Sequence, residues 1–287
     1  MDRRRAIQLL ASSPLAMITL RSFMDRPSDP SARMPVLFLG HGSPMNAIED
    51  NPFTQGWRAM GRELPKPTAI LCISAHWETN GTFVTAMEHP RTIHDFGGFP
   101  QALFDVQYPA PGSPALARDA QQVVTSRHIA EDHAWGLDHG AWSVITHLFP
   151  EADVPVVQLS LDRGMAPQQH MELAQELSVL RDQGVLIIGS GNMVHNLRMV
   201  DWNNPDGGYD WAVEANEQFK ATILRGDNKE LADYAQRGRA IQLSVPTPEH
   251  YLPLLYAMGL SKGNQEVRVF NDRTIMGSIS MTSLKIG

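Results

Sequence analysis

Cysteine is almost absent from this chain of 287 residues: Cys72 is the only one, and it lies within the apolar run AILCIS. A single cysteine cannot form an intrachain disulfide, and it excludes a zinc site built from several thiolates. We therefore expect Cys72 to be a small residue of the hydrophobic core.

Concentrated positive charge is also missing. Lysine and arginine number 24 against 31 aspartate and glutamate residues, the net charge is −7, and no basic stretch follows the N-terminus. Because nucleic acids are bound through a concentrated basic face, this composition argues against a nucleic-acid partner. The 43% of hydrophobic residues and 19% of charged residues are ordinary for a soluble globular protein.

Several catalytic motifs are absent as well. The sequence has no H-E-x-x-H helix of the common metalloproteases, and no Walker A or G-x-G-x-x-G loop for a nucleotide cofactor. The G-x-S-x-G elbow of the α/β-hydrolases is missing too, since Ser190 lies in GSGN. Any chemistry must therefore come from other residues.

No hydrophobic run is long and unbroken enough to be a clear membrane span. The uncharged stretch Ala6–Leu20 follows Arg3–Arg5 in the manner of a signal peptide, but Ser-Ser-Pro interrupts it and no A-x-A cleavage site follows. We interpret residues 1–33 as an N-terminal extension that ends in the linker MDRPSDPSAR. We predict a cytoplasmic protein with no firm membrane partner; export or tethering through this extension is the alternative.

From Met34 onward, short apolar runs alternate with amphipathic segments. The candidate strands are residues 35–40, 69–75, 82–87, 155–161, 185–191, 266–270 and 278–284. The candidate helices are residues 53–63, 114–127, 140–148, 166–182, 210–225 and 250–258. Runs rich in valine and isoleucine without strict alternation indicate a sheet that is covered on both faces. We predict one α/β domain over residues 34–287, with a largely parallel or mixed central sheet between helices.

Three of the eleven histidines occupy the same kind of position. His41 follows VLFLG, His76 follows AILCISA, and His195 lies just beyond VLIIGSG. In open α/β sheets, ligands bind outside the carboxyl ends of the strands, where residues distant in sequence converge. Imidazoles without thiolates suit zinc, iron, nickel or copper. The sequence therefore predicts a mononuclear metal site with an open position at this edge.

The other histidines divide into two groups. His139 in WGLDHGAW, His250 in TPEHYLP and His94 in IHDFGGFP lie in polar and aromatic surroundings and are further site candidates. The remaining five are interpreted as surface or helix-face residues: His89, His128, His133, His147 and His170.

Eight segments together resemble the 4,5-DOPA extradiol dioxygenase branch of the class III extradiol ring-cleavage dioxygenases. The resemblance runs from about Met34 to the C-terminus, and the segments come in the family's order. They are GHGSPMN (40–46), SAHW (74–77), IHDFGGFPQALFD (93–105), YPAPGSPALA (108–117), WGLDHGAW (135–142), VPVVQLSLD (154–162), GSGNMVHNLR (189–198) and TPEHYLPLLYAMG (247–259).

The resemblance implies an enzyme that uses a metal and O₂ to cleave a catechol next to its two hydroxyl groups. It implies that His41 and His76 are metal ligands and that His250 completes the set. His195 matches the family's catalytic histidine and is also expected to reach the metal. His139 matches a second active-site histidine, which hydrogen-bonds substrate or oxygen.

The third ligand is a departure from the wider class, which uses two histidines and a carboxylate for Fe(II). Glu249 and His250 are adjacent here, and consecutive helical residues do not point the same way. We favour His250 over Glu249. We therefore expect Fe(II) for turnover, with a site that Zn(II) also occupies. Asp138, Trp135 and the loop that begins at His94 are expected to form the substrate pocket.

Two alternative functions use the same residues. One is a zinc-dependent hydrolase or metal chelatase, since a strand-end metal site serves many unrelated functions. The other is a zinc-stabilised binding protein, which would have a closed shell of four ligands. The expected partners of an extradiol dioxygenase are a small catechol and O₂, and we expect a monomer or small homo-oligomer.

Overall fold

The computed structural model describes residues 33–261 and 265–287. The N-terminal extension predicted at residues 1–33 lies outside the described residues except for Arg33, so it stays a prediction. Within the described ranges, none of the helices has the length and apolar character needed to cross a membrane.

An eight-stranded mixed sheet forms the centre of the fold. Ten strands are present in the described ranges: β1 (Val36–Gly40), β2 (Ala69–Thr79), β3 (Thr82–Thr85), β4 (Ile129–Asp132), β5 (Val156–Asp162), β6 (Val185–Gly191), β7 (Val267–Phe270), β8 (Thr274–Ile275), β9 (Ile279–Ser280) and β10 (Ser283–Ile286). The order in the large sheet is β4-β3-β5-β2-β6-β1-β10-β7, while β8 and β9 form a separate antiparallel pair.

The four central strands β5, β2, β6 and β1 are parallel to one another. The antiparallel pairings lie toward the edges, where β10 pairs with β1 and β7, and β3 pairs with β5. All four central strands therefore end at the same edge. The predicted single α/β domain with a mixed central sheet is confirmed.

Nine α-helices connect these strands in the described part of the chain: α1 (Pro52–Glu63), α2 (Gln101–Phe104), α3 (Pro114–Val123), α4 (His139–Leu148), α5 (Pro167–Leu177), α6 (Asp210–Arg225), α7 (Asn228–Ala232), α8 (Arg239–Ser244) and α9 (Leu252–Gly259). Short 3₁₀ helices follow β1 at Pro44–Ala47, α5 at Ser178–Gln183, β6 at Leu197–Met199 and α7 at Tyr234–Gln236.

Alternation along β1 shows why the sheet needs helices on both faces. Val36 and Phe38 pack into one hydrophobic core together with α5, α6 and α9. Leu37 and Leu39 pack into a second core with α1 and α4 on the other face. All four side chains are fully buried, as expected for a strand that is covered on both sides.

Some predicted elements differ from the observed ones. Strand β4 was not predicted because its sequence, IAED, carries acidic residues at a sheet edge, where it pairs only with β3. The strand predicted at 278–284 is two short strands, β9 and β10, in different sheets. The helix predicted at 166–182 ends as an α-helix at Leu177 and continues as a 3₁₀ helix to Gln183.

Of the five histidines interpreted as surface or helix-face residues, two lie on helices and are buried. His170 is buried between α5 and α9, where its Nδ1 lies 3.2 Å from the hydroxyl of Tyr256. His147 on α4 donates from Nε2 to the carbonyl oxygen of Asn46 at 2.7 Å. His89, His128 and His133 are exposed as expected.

Candidate metal centre

Five histidines converge on one cavity of about 320 Å³ at the carboxyl edge of the central strands. They come from five separate places in the sequence: His41, His76, His139, His195 and His250. The rest of the lining is Gly42, Ser43, Pro44, Phe96, Phe99, Leu197, Val200, Trp202, Met276 and Ile279.

Each histidine is positioned by a different element. His41 is the residue after β1 and His139 is the first residue of α4, while His250 lies just before α9. His195 lies four residues past β6, and its backbone N–H donates to the carbonyl of Ser244 at 2.9 Å. His76 lies inside β2, which continues beyond the predicted end through an irregular register between Ile73 and Glu78.

Gly191, the last residue of β6, lets His250 reach the cavity. A Cβ atom at this position would overlap the carbonyl oxygen of His250. Only glycine therefore allows the segment before α9 to pack this closely against the strand.

The rings of His41, His76 and His250 form a nearly equilateral triangle. Their centroids are 5.1 Å (His41–His76), 5.3 Å (His41–His250) and 5.0 Å (His76–His250) apart. Three imidazoles that bind one ion through nitrogens at about 2.1 Å place their centroids about 5 Å apart. This triangle therefore fits a single metal ion. His139 is less symmetric, at 3.8 Å from His76 and 5.9 Å from His41.

Distances between ligand atoms select two separate sets. One set is His41, His76 and His139, and another is His195, Glu249 and His250; within each set these atoms lie within 4.8 Å of one another. The histidines of both sets line the same cavity, whereas Glu249 is not part of its lining. The set of His41, His76 and His139 is a three-histidine site by distance, and the ring triangle favours His250 as the partner of His41 and His76.

Hydrogen bonds determine which nitrogen of His41 faces the cavity. Ser190 Oγ donates to the carbonyl of Gly140 at 2.5 Å, so it accepts from His41 Nδ1 at 3.0 Å. The Nε2 atom of His41 is then the unprotonated one, and it lies 3.2 Å from Nε2 of His76. In metal sites, the ring N–H of a ligand histidine that faces away from the metal typically donates a hydrogen bond to a neighbouring group, as His41 Nδ1 does here.

Asp95 holds two further imidazoles. Its carboxylate accepts from Nδ1 and from the backbone N–H of His139, at 2.9 and 2.8 Å, and lies 3.5 Å from Nδ1 of His76. Burial alone would raise the pKa of Asp95, but the hydrogen bonds and charge of His139 outweigh it and lower the pKa. With Nδ1 engaged, the Nε2 atoms of both rings are available to the cavity.

Glu249 contacts Nδ1 of His250, as Asp95 contacts Nδ1 of His139. Its Oε1 lies 3.1 Å from Nδ1 of His250 and also accepts from the hydroxyl of Thr247 at 2.8 Å. The sequence left Glu249 and His250 as competing ligands. In the structure the carboxylate of Glu249 contacts Nδ1 of His250, and Nε2 of the same ring is not part of this contact.

Burial keeps these imidazoles neutral. It lowers the pKa of His41 and His250 well below the usual value, and the neighbouring histidines lower them further. Burial and the charge of His139 also lower the pKa of His76. Two unprotonated nitrogens 3.2 Å apart repel each other unless a cation lies between them. The donor set therefore fits a divalent metal ion bound through neutral imidazoles.

No hydrogen bond among the described residues holds the ring of His195, in contrast to the rings of His41, His139 and His250. Its ring stacks on that of His250, with centroids 3.5 Å apart and an angle of 11° between the planes. Burial lowers the pKa of His195 to about 4. A neutral imidazole that is free to exchange hydrogen-bond partners is suited to proton transfer.

The comparisons with known proteins agree with this geometry. Residues 35–278 match the family model described as the catalytic LigB subunit of aromatic ring-opening dioxygenase. The chain belongs to this family. Its members are metal-dependent and act on a small aromatic molecule with O₂, and the cluster of histidines is a site for such a metal.

Individual relatives point the same way. The chain is 49% identical over 261 residues to a 4,5-DOPA dioxygenase extradiol of Escherichia coli K12, covering 90% of this chain and 96% of the relative. It is 37% identical to a 4,5-DOPA dioxygenase extradiol of Beta vulgaris, covering 86% and 94%. A crystal structure of an uncharacterized protein from Escherichia coli K12 matches with a TM-score of 0.78 and 44% identity, covering 89% and 100%.

These matches identify the chain as an aromatic ring-opening dioxygenase, and they do not favour the alternative of a zinc-dependent hydrolase or chelatase.

Three residues expected to form the substrate pocket of this dioxygenase do not line the cavity. Asp138 is fully buried and accepts from the hydroxyl of Ser74 at 2.6 Å and from the backbone of Ala141 at 3.1 Å, so it caps α4. Trp135 stacks on Trp77 with centroids 5.6 Å apart. None of these residues is part of the cavity lining.

His94 also lies outside the lining. Its Nε2 donates to the carbonyl of Val106 at 3.0 Å, and its ring packs edge-on against Phe96. The loop that it begins reaches the cavity through Phe96 and Phe99. The contact of Asp95, in the same loop, with His139 was not predicted from the sequence. The only feature that could have indicated it is a carboxylate among aromatic and glycine residues.

Proposed function

We propose that this dioxygenase opens the ring of a catechol next to its two hydroxyl groups, in the extradiol reaction. The observation that supports this most strongly is the triangle of neutral imidazoles with two further histidines on the same cavity. The relatives named 4,5-DOPA dioxygenase extradiol make DOPA the reference substrate.

We assign the metal to His41, His76 and His250, with His195 close enough to approach it. Fe(II) is the ion proposed for turnover, and Zn(II) is expected to compete, because an all-imidazole set suits both ions. The hydrogen bond that Glu249 accepts from Nδ1 of His250 supports the imidazole rather than the carboxylate as the third ligand.

Fe(II), when bound, would hold the catechol oxygens and O₂ together and would pass electrons from the catechol to O₂. The protein residues supply proton transfer. His195 accepts a proton from a catechol hydroxyl group and later returns one to the oxygen that accumulates negative charge. His139, whose Nδ1 is held by Asp95, directs Nε2 toward the cavity and stabilises this charge.

The overall reaction balances without a further reductant. The carbon–carbon bond beside the diol breaks, and both atoms of O₂ enter the product, one in an aldehyde and one in a carboxylate. The product is a muconic semialdehyde, which is yellow.

The test is to load the protein with Fe(II) anaerobically and then add air and a panel of catechols that includes DOPA. We expect one O₂ consumed for each catechol and the appearance of a yellow chromophore. Absence of both, from protein that retains bound iron, would contradict the proposed function.

We also propose, from the sequence, a cytoplasmic location, a monomer or small homo-oligomer, and a catalytic domain over residues 34–287. Cell fractionation and light scattering of the purified full chain would test the first two. Limited proteolysis would test the domain boundary.

A further inference from the structure

The two ends of the cavity differ in chemistry. The inner end carries the histidines, whereas the outer end is lined by apolar side chains, among them Leu197, Val200, Trp202 and Met276. Among the residues that the structure describes, no lysine, arginine, aspartate or glutamate lines this cavity. A charged group that enters it would lose hydration without gaining an ion pair, which is costly.

The outer end also exposes an unusual amount of apolar surface. Among the described residues, eight large hydrophobic side chains are exposed, and five of them come from residues 197–213: Leu197, Met199, Trp202, Tyr209 and Val213. Leu197 is 64% exposed and Trp202 is 78% exposed, and both line the cavity. Exposed apolar groups concentrated at the mouth of a pocket mark a binding surface.

We propose that the outer end of this cavity selects catechols whose ring substituent is uncharged and apolar, and that Leu197 and Trp202 contact that substituent. This inference rests on the proposed function, because the catechol oxygens must face the histidines for the substituent to reach the outer end. The two charged groups of the DOPA side chain then remain in solvent or enter at a cost, so they add nothing to recognition.

A matched pair of substrates tests the idea directly. 4-Propylcatechol has the three-carbon chain of DOPA without its ammonium and carboxylate groups. We expect kcat/KM for 4-propylcatechol to exceed that for DOPA by at least tenfold. Across the 4-methyl, 4-ethyl and 4-propyl series, kcat/KM should rise roughly threefold to fourfold per methylene, the value for full burial of a CH₂ group. O₂ consumption is the measurement, so that product colour does not bias the comparison.

A binding measurement separates recognition from turnover. Calorimetric titration of the zinc-loaded full chain with the same compounds under anaerobic conditions should give the same order of Kd values. It should also give a negative heat-capacity change that grows with chain length, as apolar burial requires.

Two variants test which residues make the contact. Leu197→Ser should flatten the dependence of kcat/KM and Kd on chain length. Leu224→Ser is the matched control, because Leu224 is 61% exposed on α6 and does not line this cavity. It should keep the wild-type dependence.

The outcomes are distinguishable. If no catechol is consumed, the proposed function fails. If catechols are consumed but DOPA equals or exceeds 4-propylcatechol, the function stands and the inference is overturned. Equal slopes for Leu197→Ser and Leu224→Ser would remove Leu197 from the contact.

Discussion

The inner and outer ends of one cavity are built in opposite ways. At the inner end, His41 is buried, and its ring nitrogen is held by the hydroxyl of Ser190. At the outer end, Leu197 and Trp202 project into solvent with most of their surface uncovered. The first arrangement holds polar atoms in place, and the second presents apolar surface without a polar partner.

This difference assigns the reaction to the inner end of the cavity and the choice of substrate to the outer end. A metal and a proton-transfer group must be held in one geometry, so the inner end is supported by a buried network of hydrogen bonds. The binding of an apolar substituent depends on the apolar area that is buried and not on the direction of the contacts. The outer end therefore needs no network of hydrogen bonds. Substitutions at the inner end should therefore abolish turnover, while substitutions at the outer end should change substrate preference.

The largest effect is expected from removing a ligand. His76→Ala should lower metal affinity by more than the roughly 10–100-fold that is typical of losing an outer partner, and turnover should fall to background. The measurement is metal content after dialysis, with O₂ consumption as the second readout. The exposed His128→Ala is the control and should retain metal. Full metal content in His76→Ala would remove His76 from the ligand set.

The next effect concerns proton transfer. His195→Gln should retain metal and bind catechol, yet kcat should fall by about 10²–10⁴-fold, the usual contribution of a general acid–base. Metal analysis and an anaerobic catechol titration of the zinc-loaded form separate this loss from a binding defect. An unchanged kcat would exclude His195 from proton transfer.

A smaller effect is expected where a residue acts through its neighbours. Asp95→Asn keeps the size of the side chain but removes the charge that holds His139 and His76. We expect metal affinity or kcat to fall by about 10–100-fold. Asp105→Asn, in the same region of the sequence but exposed, should behave as wild type. If both variants match wild type, the Asp95 contact is dispensable.

Much of the inner end could be predicted from the sequence because it follows strand ends. His41 and His195 come just after β1 and β6, and parallel strands bring such residues to one edge. The supporting contacts could not be predicted. Ser190 is 149 positions from His41, and Asp95 is 44 positions from His139, so only the packed fold brings each pair together.

The outer end was not predicted for a similar reason. Leu197, Trp202 and Met276 have no pattern that distinguishes them from core residues in the sequence, and only their exposure in the fold reveals their place. Asp138 shows how a sequence neighbour can have a structural role. A carboxylate beside His139 suggested contact with substrate, but the N-terminus of α4 uses it as a cap.

The smallest effect on turnover is expected outside the cavity, at a buried imidazole with no proposed chemistry. Burial lowers the pKa of His170 from 6.5 to about 4. The unfolded chain therefore binds this proton first as the pH falls, and stability present above pH 6.5 is lost between pH 6.5 and 4. The expected loss from this group is about 3 kcal/mol.

Urea unfolding of metal-free protein between pH 7 and 4 measures this loss. Removing the metal matters, because protonation of the cavity histidines would otherwise add metal release to the same pH range. His170→Phe keeps a ring in the space beside Tyr256 but cannot bind a proton, so its free energy of unfolding should fall less steeply than that of wild type. His128→Phe, at an exposed position, should follow wild type. Parallel curves for wild type and His170→Phe would mean that the pKa of His170 is the same in the folded and the unfolded chain, so that its burial contributes nothing to the loss of stability at low pH.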